Sequence, residues 1–154
     1  MSALATPTMP NDGVKSIFVE AVRNAHALEN EALSIMNRQI ERLKNYPALS
    51  ERLERHVGET EGQIARLEQI LGELGEDPST FKDTVMSIGG SIAALGHTAA
   101  SDEVLKNAFA DFAFENFEIA AYRSLITLTV RDPDLSGARA LLETSLEEER
   151  GMAR

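Results

Sequence analysis

The chain has 154 residues and a mass of 16.8 kDa, the size of one domain built on one core. With 43% hydrophobic and 26% charged residues and only 5 Pro and 10 Gly, it is a globular sequence, which excludes a mainly disordered or collagen-like chain. Lys and Arg number 15 against 25 Asp and Glu, a formal charge of -10 that repels phosphate backbones and anionic headgroups and argues against nucleic acid as a partner.

The absence of cysteine removes disulfides, iron–sulfur clusters, thiolate zinc sites and cysteine nucleophiles, so any metal must sit on oxygen or imidazole. The start, MSALATPTMPNDG, lacks the basic residues and apolar run of a signal peptide. No apolar stretch approaches the roughly 20 residues that cross a bilayer. The expectation is a cytoplasmic protein with no membrane partner.

Residues 1–12 read as a flexible N-terminal tail ahead of a single domain over 13–154. From Asn11 and Asp12, which suit a helix start, Phe18, Val22, Ala25, Leu33, Met36, Ile40 and Leu43 fall at spacings of three and four, predicting a helix over about 13–44. Asn45-Tyr46-Pro47 breaks it, because proline disfavours helical geometry in the residue before it but suits a helix's first turn. A second helix, with Leu49, Leu53, Val57, Ile64, Leu67, Ile70, Leu71 and Leu74 on its face, then runs from Pro47 to about Gly75.

From Asp77 to about Gly96 the apolar spacing of Phe81, Val85 and Ile88 is helical, but Gly89-Gly90 is costly inside a helix. This segment reads as a long, partly helical crossover. Ser101 caps a third helix to about Val130, with Leu105, Ala108, Phe112, Ile119, Tyr122 and Ile126 read as its inward face. After the break at Arg131-Asp132-Pro133-Asp134, a fourth helix carries Leu135, Ala138, Leu142 and Leu146. It reaches residue 154 without a cap, as a protein continuing further would. Two helices, a long crossover and two more helices predict an all-α, ferritin-like four-helix bundle.

The informative residues are polar ones on the apolar stripes, because a buried ionised carboxylate is costly unless something compensates it. Glu29 interrupts the first stripe, Glu115 the third, with Glu118 on its flank, and Glu149 the fourth. The second is interrupted by His56, Thr60 and Gln63, with Glu59 toward its edge. Carboxylates from several helices around one point, with imidazole, suit a pair of metal ions; the alternative is acids that pair with Arg or His or stay protonated. His26 reads as a ligand, a partner of one, or an ordinary hydrogen-bonding side chain, and His97 as a surface residue. The chain has no phosphate loop, nucleophile elbow or calcium loop.

The segments His56-Val-Gly-Glu59-Thr60-Glu-Gly-Gln63-Ile-Ala-Arg66-Leu67-Glu68 and Glu115-Asn-Phe-Glu118-Ile-Ala-Ala-Tyr122 resemble the YciE/YciF-type bacterial stress proteins. Leu28-Glu29, Leu141-Leu142-Glu143-Thr144 and Glu148-Glu149 extend the likeness over about residues 15–153. That family is ferritin-like and has no established activity. The resemblance to ferritin-like di-metal proteins implies Glu29, Glu59, Glu115, Glu118 and Glu149 as carboxylate ligands and His56 as an imidazole ligand or the partner of one. It implies iron or another divalent transition metal as cofactor, oxygen or peroxide chemistry, a role in stress protection, and Tyr122 as a redox neighbour. The chain departs from the usual pattern of Glu followed three residues later by His, since Glu59 is followed by Gly62 and Glu149 by Met152. Some relatives carry histidine at the position of Glu61. An acid-rich site, a single ion and an empty site all stay open. The rival expectation is a structural or interaction protein, a homodimeric bundle with no functional metal; DNA protection would need a basic tail that is lacking.

Overall fold

A computed structural model of the protein describes residues 11–77 and 103–154. The expected crossover, Ser101 and His97 lie outside them, apart from Asp77. Helix α1 spans Asn11–Ile40, α2 Pro47–Glu73, α3 Glu103–Thr129 and α4 Arg139–Met152, with a 3-10 helix at Pro133–Ala138. The all-α, ferritin-like bundle expected from the sequence is what forms.

Two boundaries shift for local reasons, and a third falls where Gly75 sets it. Helix α1 stops at Ile40, and the chain tightens through Arg42 N–H to Gln39 O at 2.9 Å and Leu43 N–H to Ile40 O at 3.1 Å. These three-residue bonds narrow the final turn so that Pro47 can open α2. At the other end of α2, Gly75 takes φ 81. Its N–H reaches Gly72 O, and Glu76 N–H reaches Leu71 O at 3.0 Å, closing the helix with a left-handed cap. The fourth helix, expected from Asp134, is α-helical only from Arg139, because Asp132 accepts Asp134 N–H at 3.0 Å and Pro133 starts a 3-10 turn.

The side-chain partners set the directions. Tyr122 meets Glu29 whereas Asp111 meets Gln39, so α3 runs antiparallel to α1. Arg23 meets Glu76 and His26 meets Glu68, so α2 does too. Helices α2 and α3 are therefore parallel, as in ferritin-like folds. Helix α1 packs on α2 and α3, and α4 on α3 and α2, which sets α1 diagonally across from α4. No helix among the described residues is long and apolar enough to cross a membrane.

Among the described residues, two apolar clusters fill the interior. One joins Phe18, Val22, Leu67, Ile70, Leu71, Leu125, Leu135 and Leu142. The other joins Ala32, Met36, Leu43 and Leu53, with Phe114 and Met152 packed against it. Glu29, His56, Thr60, Gln63, Glu115, Glu118 and Glu149, all buried, fall between the two clusters along their helices.

The inward face of α3 corrects the sequence reading. Leu105 and Phe112, expected inside, are exposed, as are Phe109 and Phe117. Val104 and Phe114 turn toward the core instead. Over its whole length this helix sets apolar residues on every side, so its hydrophobic pattern has little contrast from which a phase could be read.

Candidate metal centre

Each helix delivers its polar residues to the layer by plain helical spacing. On α2, His56, Thr60, Gln63 and Leu67 step along one buried line; on α4, Leu142, Ser145, Leu146 and Glu149 do the same. On α3, Glu115, Glu118 and Tyr122 are one turn apart and buried. The apolar clusters above and below exclude water, which makes every unpaired charge in the layer costly.

His56, Glu115 and Glu149 come together: one ligand atom from each lies within 4.8 Å of the others. His56 Nε2 stands 3.3 Å from Glu115 Oε2 and 3.9 Å from Glu149 Oε2. Glu29 enters the same layer from α1, where Oε1 accepts the Tyr122 hydroxyl at 2.6 Å. Glu118 is 1% exposed, and neither of its oxygens has a hydrogen-bond partner. Of the six residues expected at the site, Glu59 alone sits at its edge. Its side chain is 44% exposed and meets the back of the imidazole, Oε2 to Nδ1 at 2.9 Å, the place of a group that orients a histidine ligand. His26 lies on the seam of α1 and α2 beside Glu68, at 3.1 Å.

The electrostatics follow from this crowding. Burial first, then neighbouring acids, push Glu149 up to about 10. Glu118 rises well above the carboxylate range for the same reasons, with Glu29, Glu149 and Glu115 as the charges facing it. Glu29 rises to about 7 by burial, although the Tyr122 hydrogen bond opposes the shift. Burial pulls His56 down, but the neighbouring Glu115 carboxylate, followed by that of Glu59, outweighs it and raises the imidazole overall. Asp111, hydrogen-bonded to Gln39 at 2.8 Å, is raised to about 6 by burial. Burial and the Glu29 carboxylate also keep Tyr122 a neutral phenol.

The residues present fit a cation. Among the described residues, Glu29 Oε2, Glu115 Oε2, Glu149 Oε2 and both oxygens of Glu118 are buried without hydrogen-bond partners, and the His56 imidazole joins them. Carboxylate oxygens with one aromatic nitrogen suit iron, manganese or zinc. A positive ion would let Glu118 and Glu149 ionise where burial now favours their protonated forms.

The sequence reading noted Gln63 only as an interruption and did not single out Ser145, Arg66 or Glu148. Gln63 donates to both Glu148 and Glu149, and Arg66 contacts Ser145 and Glu148. A signal did exist: Arg66 follows the buried series 56, 60, 63 by one further step of three.

The fold and the layer define a ferritin-like bundle with an acid-rich interior centre. Residues 13–154 match the family described as Domain of unknown function (DUF892), and the chain belongs to it. Protein YciF of Escherichia coli (strain K12) is 28% identical, with 89% of this chain and 84% of that protein covered. A crystal structure from Xanthomonas campestris pv. campestris is similar at a TM-score of 0.74 and 29% identity, covering 91% of this chain and 85% of the other. The crystal structure of the E. coli stress protein YciF superposes at a TM-score of 0.69 and 21% identity, covering 91% and 89%, a likeness of fold.

Proposed function

We propose that the protein binds divalent transition metal, iron foremost, in the layer between its helices and acts in stress protection. The observation that carries the metal reading is the set of buried carboxylate oxygens without donors, gathered around His56 Nε2. Glu115, Glu149 and His56 would hold the ion, with Glu29 and Glu118 able to complete a second position, and Glu59 would orient His56. A redox-active metal bound there supplies one-electron chemistry toward dioxygen or peroxide. The chain's own residues bury the site between apolar clusters and, through Tyr122, hold one oxygen of Glu29. The stress role follows the E. coli protein, which is described as a stress protein.

Elemental analysis after anaerobic ferrous loading tests the reading, with a Glu29→Ala/Glu115→Ala variant as control. About two ions per chain, the count of a di-metal bundle centre, lost in a folded variant, is the expected result. No specific metal in the wild-type chain would leave the structural reading, a bundle whose acids are simply protonated. The expected homodimer has a surface on which to form, since Leu105, Phe109 and Phe112 make an exposed apolar stripe along α3. Sedimentation velocity of the wild type against a Phe109→Ser/Phe112→Ser variant should show a dimer reduced to monomer; unchanged sedimentation would reject that surface.

A further inference from the structure

Several polar groups outside the proposed ligand set converge on the backs of two of its carboxylates. Arg66, on α2, directs Nε to Ser145 Oγ at 2.9 Å and Nη2 to Glu148 Oε2. Ser145 in turn lies beside the Tyr122 phenol, with the Leu141 carbonyl 3.4 Å from its hydroxyl as acceptor. Tyr122 then donates to Glu29 Oε1 at 2.6 Å. On the other branch, the Gln63 amide donates to Glu148 Oε2 at 3.1 Å and to Glu149 Oε1. Both branches end on an Oε1, and in both carboxylates Oε2 is buried without a partner.

The glycine one turn earlier lies against this hub. A Cβ at Gly62 would stand 3.5 Å from Arg66 Nη1, so the guanidinium lies across the helix surface that a larger side chain would claim. Gly62 is also the position at which the common ferritin-like spacing, counted from Glu59, would set a histidine. Arginine suits the hub because its planar fork offers donors at fixed angles to two acceptors, whereas lysine offers a compact point charge.

We propose that Arg66 is the positioning residue of the metal centre, holding Glu29 through Ser145 and Tyr122 and Glu149 through Glu148 and Gln63, so that Oε2 of each carboxylate faces the cation. The inference rests on the metal reading above. Groups behind metal ligands fix ligand orientation, and their loss typically weakens metal affinity by about 10–100-fold.

The test is titration of the full chain with Co²⁺ alone, reading dissociation constants by competition with a chelator and the visible d–d bands. For Arg66→Met, unchanged stoichiometry, about 10–100-fold weaker binding and altered bands are expected. Arg66→Lys should recover only part of the loss. The direction is diagnostic, since removing a positive charge near a cation site would by Coulomb's law alone strengthen binding. Ser145→Ala cuts only the Glu29 branch and should weaken binding less, and its effect should shrink when Arg66 is already changed. Wild-type affinity and bands in Arg66→Met, with Co²⁺ lost in Glu29→Ala/Glu115→Ala, would overturn the positioning role and leave the metal reading standing. A wild-type chain that binds no Co²⁺ would overturn both. Should Arg66→Met fail to fold by circular dichroism, Ser145→Ala and Gln63→Leu decide, and unchanged affinity in both overturns the proposal.

Discussion

At the scale of single residues, the metal-free layer carries its acids mostly as protons. Glu149, raised to about 10 chiefly by burial, is a neutral acid at pH 7, and Glu149→Gln replaces it with a neutral amide of nearly the same shape. In chelator the melting temperature should hold or rise, while the stabilisation on adding Co²⁺ should fall, because an amide is a poor ligand. Calorimetry with and without EDTA checks both arms, and marked destabilisation in EDTA would mean that Glu149 is ionised without metal. Tyr122→Phe removes the donor to Glu29 Oε1, leaving a second buried oxygen of that carboxyl unsatisfied. The expected cost is about 1–3 kcal/mol, read from urea midpoints, and an unchanged midpoint would show that the hydrogen bond carries no net stability.

Elements owe their boundaries to a few local residues. Gly75 is the one residue with positive φ among those described, and a side chain there is strained even though its Cβ would meet no neighbour. Gly75→Ala should therefore cost about 1–2 kcal/mol with no effect on metal affinity, a contrast that thermal melts and Co²⁺ titration measure together. Weakened Co²⁺ binding in that variant would mean that the α2 cap also positions His56. Helix α2 carries the clearest pattern, and its buried face agrees with its sequence stripe from Leu53 to Leu71. Helix α3 shows the opposite behaviour. Its aromatic residues surround the helix, so packing against α1 and α4, rather than periodicity, decides which of them turn inward.

For the whole molecule, the raised acids make stability depend on pH with one sign. Each has a folded value above its ordinary one, so the stability it contributes is complete below about pH 4. It is lost as pH rises through about 6 for Asp111, about 7 for Glu29 and about 10 for Glu149. His56 is also raised, so its contribution is complete below its ordinary value and is likewise lost as pH rises. The chelated protein should lose on the order of 10 °C in melting temperature between about pH 5.5 and 8.5. A bound divalent cation reverses the trend, since it binds the ionised acids and displaces their protons. Its stabilising effect should therefore grow with pH, and a melting temperature independent of pH in EDTA would refute the protonated layer.

The helices of the described residues and the depth of the polar layer are legible in the sequence, because a helix converts spacing directly into a face. Glu29, His56, Glu115 and Glu149 stood out as polar residues on apolar lines, and Glu59 was correctly set at the edge of α2. What only the tertiary structure decided is relational. Which oxygen of each carboxyl meets a donor, the contact of Glu59 with the back of His56, and the convergence of Arg66, Ser145, Gln63 and Tyr122 all depend on residues far apart in the chain. Periodicity within one helix gives depth and direction. It carries no information about the neighbouring helix's register, which packing of all four helices sets.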